Sequence, residues 1–291
     1  MDKVVDEGIR KILLDYQKNE ISEYQVYKNL SKSSKGENKE ILDKISQDEL
    51  MHYKKWKKYT NMEVKPDGLK VLKYLLYSKF FGLTFAVKLM ERGEAAAQKA
   101  YRTIEEAIPE GRDVIADEGA HEKELIGIIN EERLNYMGSM VLGLNDALVE
   151  LTGTLSGLIL AIQNSLIIGV VGLITGIAAS LSMMSSEYLS QKSEEGGKSP
   201  LKASVYTGIA YIFAVAVLDA PFFLSSNALL DISMTVLCAV IITFIFTYFI
   251  SVTKDLSFRK RFAEMASISL GVAAVSFLIG FAIRIFLNVS I

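Results

Sequence analysis

The sequence predicts an all-α chain in two parts, a four-helix soluble bundle over residues 1–136 and a five-helix transmembrane domain over residues 137–291. Three observations carry this reading. Charge is split unevenly along the chain, apolar residues recur at helical spacing, and each of the only two histidines follows a glutamate by three positions.

The charge split sets the domains. Of the 32 Lys/Arg, 24 lie within residues 1–137, as do 25 of the 34 Asp/Glu. The first half is therefore built for water and the second for lipid. Interspersed signs in the first half give no clustered basic face, which excludes a nucleic-acid footprint. One cysteine, Cys238, supplies no disulfide, zinc or iron–sulfur ligand set. The opening MDKVVDEGIRKILLDY is charged and lacks an apolar signal-peptide core, so the N-terminal part is expected in the cytoplasm.

Within the first half, Ile9, Ile12, Leu13 and Tyr16, then Tyr24, Tyr27 and Leu30, mark a helix over about residues 2–30. A polar stretch from Ser31 to Gly36 ends it, and a second helix is expected from Glu37 to Tyr59. Pro66-Asp67-Gly68 is a turn that starts a third helix, expected to run unbroken from Leu69 to Ala107. Its Lys-punctuated stretch Leu69–Met90 reads as an ordinary bundle helix with exposed lysines. Pro109-Glu110-Gly111 separates it from a fourth, ending near Tyr136. Short connections make this an antiparallel bundle.

Five apolar segments follow, at about 138–163, 166–189, 203–224, 228–251 and 264–287. Each meets the roughly 20 residues needed to cross a hydrocarbon core of about 30 Å. The connection at 190–202 carries Lys192, Lys198 and Lys202, and that at 252–263 carries Lys254, Arg259, Lys260 and Arg261. The connections near 164 and 225–231 have neither Lys nor Arg. Positive loops stay inside, which gives a multi-pass protein of the cell membrane with a cytoplasmic bundle and an outer C-terminus.

The histidines define a metal site. Glu49-x-x-His52 and Glu118-x-x-His121 each project two ligands from one helix face. A di-metal site in a bundle also needs one glutamate from each remaining helix. The first helix offers Glu20 and, more weakly, Glu23; the third offers Glu91 and Glu94. The pattern repeats, since Tyr27 follows Glu20 by seven positions and Tyr101 follows Glu94 by seven, as in a duplicated helical hairpin. Mixed carboxylate and imidazole ligation suits iron or manganese better than structural zinc.

At these residues, over about 1–135, the chain resembles the ferritin-like, rubrerythrin-type domains. The resemblance implies a di-iron site that binds and can oxidise ferrous iron, with Glu91 or Glu94 as the bridging ligand. The chain has no cysteines for rubrerythrin's iron–cysteine module.

In the second half, Asp146 and Glu150 share one face of the first span at i, i+4. Gly143, Gly153, Ser156 and Gly157 allow close helix approach there, as at a dimer seam. In the second span Met183 and Glu187 are again i, i+4, with Met184 one position round. Acids with thioether sulfurs suit a transient path for ferrous iron, and an intramembrane carboxylate can exchange a proton for the cation. Asp219, just before Pro221, marks an exit or a helix break.

The stretches Gly143-Leu144-Asn145-Asp146 and Ser182-Met183-Met184-Ser185-Ser186-Glu187-Tyr188 resemble those of the vacuolar iron transporter family, over about 137–290. Two departures stand: residues 140–143 hold no acid, and only residues 190–202 occupy the place of the family's metal-collecting insert. The resemblance implies a homodimer exporting ferrous iron against protons, with the N-terminal bundle in place of that insert. Together the two halves look like the membrane-bound ferritin architecture. The alternative is a membrane-anchored ferroxidase or peroxide-scavenging di-iron enzyme, for which five spans with acids are more than an anchor needs.

Overall fold

Two long helices, α1 (Glu7–Ser33) and α2 (Glu37–Thr60), form the hairpin that the first 60 residues encode. The structure is a computed structural model, and it describes residues 7–93, 108, 114, 117, 121, 132–162, 164–194 and 198–287. No strand occurs among the described residues. The chain divides into two compact units, Met1–Glu131 and Glu132–Ile291.

In the first unit, α1 buries Leu13, Tyr16, Gln17, Glu20, Glu23, Val26, Tyr27 and Leu30, a stripe at three- and four-residue spacing. The facing stripe of α2 is Leu42, Ile45, Glu49, His52, Tyr53 and Trp56. Asn61, in the left-handed region at φ 51°, closes α2 with its amide on the Lys57 carbonyl. Two apolar clusters result. Val26, Tyr27, Leu30, Leu42, Ile45, Tyr74, Val87 and Met90 form one, and Leu13, Tyr16, Trp56, Ile108 and Val114 form the other. The polar members Glu20, Glu49 and His52 lie between them along α1 and α2.

The third helix departs from expectation. Instead of one rod from Leu69 to Ala107, α3 (Gly68–Phe81) stops at Gly82, and helical residues resume at 83–93 as α4. Gly82 sits at φ 104°, ψ 164°, a region open essentially to glycine alone. Its amide closes α3 on the Ser78 carbonyl, and its carbonyl accepts from Ala86 to open α4. Expected helix beyond residue 93 falls mostly outside the described residues, although Val114, Asp117 and His121 are helical.

The second unit contains α5 (Met137–Ile162), α6 (Ser165–Ser193), α7 (Pro200–Asp219), a single turn Pro221–Leu224, α8 (Ala228–Thr253) and α9 (Phe258–Leu287). Among the described residues four stretches are long and apolar enough to cross a membrane: Ser165–Ser193, Pro200–Leu224, Ala228–Thr253 and Phe258–Ile283. Their outer faces show Leu166, Ile174, Ile209, Phe213, Leu237 and Leu278, side chains suited to lipid. The fifth expected span, α5, is not among these four. α5 packs on α6, α7, α8 and α9. Its buried Leu144, Ala147, Leu148, Leu151, Leu155 and Ile159 form the centre of the apolar core. The small residues of α5 also take part in packing within the chain. A Cβ on Gly143 would stand 2.4 Å from the Thr207 carbonyl oxygen, and Gly153 and Gly157 both face Ser276.

Two outcomes test this description. Gly82→Ala should destabilise the first unit by about 1–3 kcal/mol, read by chemical denaturation. Asp67 caps α3, accepting the Leu69 and Lys70 amides at 3.1 Å, with Lys18 Nζ 3.3 Å away. The Lys70 amide and then Lys18 hold its carboxyl below the ordinary value. The cap contribution is complete above the unfolded value near about 3.9 and is lost as pH falls through the lower folded value. Hydrogen exchange in α3 should therefore be faster in Asp67→Ala than in the parent at pH 6, the difference shrinking below about pH 3.

Candidate functional site

Glu20, Glu49 and His52 converge from α1 and α2, and all three are buried, with one ligand atom of each within 4.8 Å of the others. His52 Nδ1 lies 3.6 Å from Glu20 Oε2 and 3.8 Å from Glu49 Oε2. The other oxygen of Glu49, Oε1, lies 3.7 Å from His121 Nδ1. The Glu49 carboxylate thus stands between two imidazoles whose ring centres are 6.0 Å apart.

These separations are longer than hydrogen bonds. They fit metal coordination, since bond lengths of about 2.0–2.2 Å place two ligand atoms of one ion about 3–4 Å apart. Glu20 Oε2 is buried and makes no hydrogen bond, while Glu20 Oε1 accepts from Trp56 Nε1 at 3.0 Å. A buried carboxylate oxygen aimed at an imidazole nitrogen without a proton between them calls for a cation. The donor set of oxygen and imidazole nitrogen without thiolate fits iron or manganese.

The far nitrogens of the imidazoles are also held. His52 Nε2 is 3.3 Å from Asp117 Oδ2, and His121 Nε2 is 3.0 Å from Asp48 Oδ2. Each aspartate stands just before the glutamate of its own Glu-x-x-His and engages the histidine of the other. A carboxylate on the outer nitrogen of a histidine fixes its tautomer and raises the basicity of Nδ1. Sequence reasoning missed both aspartates, although the signal was present as a repeated Asp-Glu-x-x-His. It also missed Trp56, whose indole orients Glu20. Burial, followed by the charges of Asp15 and Glu20, pushes the Tyr16 phenol up.

The remaining expected ligands divide. Glu91 is buried and receives a short hydrogen bond from Tyr27 Oη. Glu23 is buried but paired with Lys70, Nζ to Oε1 at 2.6 Å. Glu94 and Glu118 lie outside the described residues.

In the second unit the expected path residues gather around α5, α6 and α7. Glu187 is buried and accepts Ser139 Oγ from α5 at 2.7 Å. Glu150 accepts the buried Tyr211 hydroxyl from α7 at 2.7 Å, and Asp146 lies one turn before it, half-buried. Met183 packs against the core around α5. Met184 lies on Gly208, where a Cβ would come within 2.2 Å of its sulfur. Ser139, Thr207 and Tyr211 tie the three helices together here, with Thr207 Oγ1 donating to the Ser139 carbonyl at 3.0 Å. Hydroxyl residues in apolar helices carry little sequence signal, which is why these three were not anticipated.

A family model described as the VIT family matches residues 137–196, the stretch that holds Asp146, Glu150, Met183, Met184 and Glu187. No curated protein and no solved structure gave a match. The family match and the apolar helices together indicate a membrane metal-ion transporter.

The metal site makes a direct prediction. Asp48→Asn and Asp117→Asn should each weaken metal binding by about 10–100-fold, while His52→Ala removes a ligand outright. Competition titration of the full-length protein against a chelator checks both.

Proposed function

We propose that the protein exports ferrous iron from the cytosol, coupled to protons, and that its N-terminal unit is a cytoplasmic ferritin-like four-helix bundle holding a di-iron site. The observation that carries this reading is the buried Glu20–Glu49–His52 set, with His121 on the far oxygen of Glu49, in one chain with a VIT-family segment. In this reading Glu49 would be shared between two metals, with Glu20 and His52 holding one and His121 the other. Glu118 and either Glu91 or Glu94 complete the set, and manganese is the other metal that such ligands accept. The bundle captures ferrous iron and can oxidise it, which is the part of the function shared with a ferroxidase.

The membrane unit in this proposal has five spans, with α5 as the central one. A length of 26 residues is sufficient to cross a bilayer, and its two acids face neighbouring helices in a bundle rather than lipid alone. Lys and Arg in the connections after α6 and α8 support a cytoplasmic N-terminal unit and outward transport across the cell membrane. Asp146, Glu150, Met183, Met184 and Glu187 form the path. Hard carboxylates and soft thioethers together bind ferrous iron without the grip of a closed cage, so it can leave as well as enter. We place a second copy of the chain against the groove of about 310 Å³ lined by Glu150, Gly153, Thr154, Val272 and Ser276.

Proteoliposomes enclosing an iron-sensitive dye test the path. Asp146→Ala should reduce ferrous flux by about tenfold or more, the scale expected when about 1.4 kcal/mol or more of cation stabilisation is lost. Flux equal to the parent's contradicts the assignment.

A further inference from the structure

Two buried carboxyls in the second unit, Asp219 and Asp231, have no role in that path. Asp219, the last residue of α7, is 1 % exposed, and neither of its carboxylate oxygens makes a hydrogen bond. Its Oδ1 presses against α6 at Gly172, where a Cβ would stand 2.5 Å from that oxygen and 2.8 Å from Leu155 of α5. Only a glycine leaves room for the carboxyl in this seam. Just beyond it, Ala220 breaks the helix and Pro221 starts the next turn. Proline has no amide to offer, so the backbone here lacks a donor where an ordinary helix would have one.

Among the described residues no counter-charge faces Asp219. Residues 137–187 and 203–253 contain no Lys, Arg or His. From α8 the ionisable neighbour is Asp231, fully buried, one turn before Thr235, whose hydroxyl bonds the Leu218 carbonyl. On α7 itself the nearest such group is Tyr211, already committed to Glu150. The acids of α5, Asp146 and Glu150, precede Leu155 by two turns and one turn, and α6 presents only Glu187 and Lys192, at the other end of that helix. On α9, Arg259, Lys260, Arg261 and Glu264 open the helix, while the side chain of Arg284 is outside the described residues. Among the described residues no ion pair reaches Asp219.

A carboxylate in this setting cannot remain ionised without severe desolvation cost, whereas a protonated carboxyl can. We propose that Asp219 is a proton-binding site within the membrane unit, its carboxyl holding one proton and exchanging it as the transported cation passes. The exchange needs no other co-reactant, because the O–H bond breaks to release a proton and re-forms on reprotonation. Its coupling to transport rests on the export reading above; the protonated carboxyl does not.

Infrared spectroscopy of the full-length protein in lipid bilayers at neutral pH tests the site. The parent should show the C=O stretch of a protonated carboxylic acid, shifted by carboxyl-¹³C aspartate labelling and diminished in Asp219→Asn by the share of one carboxyl. A spectrum in which labelling moves no such band, or in which Asp219→Asn leaves its intensity unchanged, overturns the proposal. If Asp219→Asn does not fold, Gly172→Ala serves instead, since its methyl must displace the carboxyl and shift the band; an unshifted band also overturns it. In proteoliposomes, ferrous flux in the parent should respond to an imposed pH gradient and that in Asp219→Asn should not. A preserved response overturns the coupling role. A parent that moves no ferrous iron refutes the export reading instead, and the infrared result then decides the proton site alone.

Discussion

Placing carboxylates in a dry interior is the constraint around which both units are built. In the first unit Glu20 and Glu49 sit between two apolar clusters, with the imidazoles of His52 and His121 beside them. Imidazole nitrogens at 3.6–3.8 Å are beyond hydrogen-bonding distance and Glu20 Oε2 makes no hydrogen bond, so the arrangement has a use for cations that a purely structural core would not. The supporting residues follow from it. Trp56 orients Glu20, while Asp48 and Asp117 hold the outer nitrogens of the histidines, and each prepares its ligand to face inward. In the second unit the buried Glu187 takes the Ser139 hydroxyl, the exposed Glu150 takes that of Tyr211, and the buried Asp219 and Asp231 are left without hydrogen bonds.

The two solutions suit different tasks. A set of carboxylates and imidazoles with fixed outer partners binds metal strongly, because little reorganisation is needed when the ion arrives. Single carboxylates held by one hydroxyl, beside flexible thioethers, bind loosely and release easily. Capture in one unit and passage in the other is the division of labour that we propose.

Much of this was legible in the sequence because metal ligation in helices obeys fixed spacing. Glu49 and His52 could be paired from i, i+3 alone, and Glu20 from the need for a facing acid. The cross-pairing of Asp48 with His121 and of Asp117 with His52 was not, since a contact between helices depends on their register and not on local spacing. The break at Gly82 was missed for a different reason. A lone glycine within an apolar run reads as a tolerated helix residue until its φ of 104° is known. Likewise α5 read as one span among five, and only the structure shows its contacts with four other helices.

The central claim is that the first unit holds two metal ions bridged by Glu49. X-ray absorption at the metal edge of the iron-loaded, full-length protein tests it most directly. The account predicts a mixed oxygen and nitrogen shell at about 2.0–2.2 Å and a second iron at about 3.5–4 Å. An iron-loaded protein with no metal–metal scattering, or with its iron unchanged when both histidines are replaced by alanine, would contradict it.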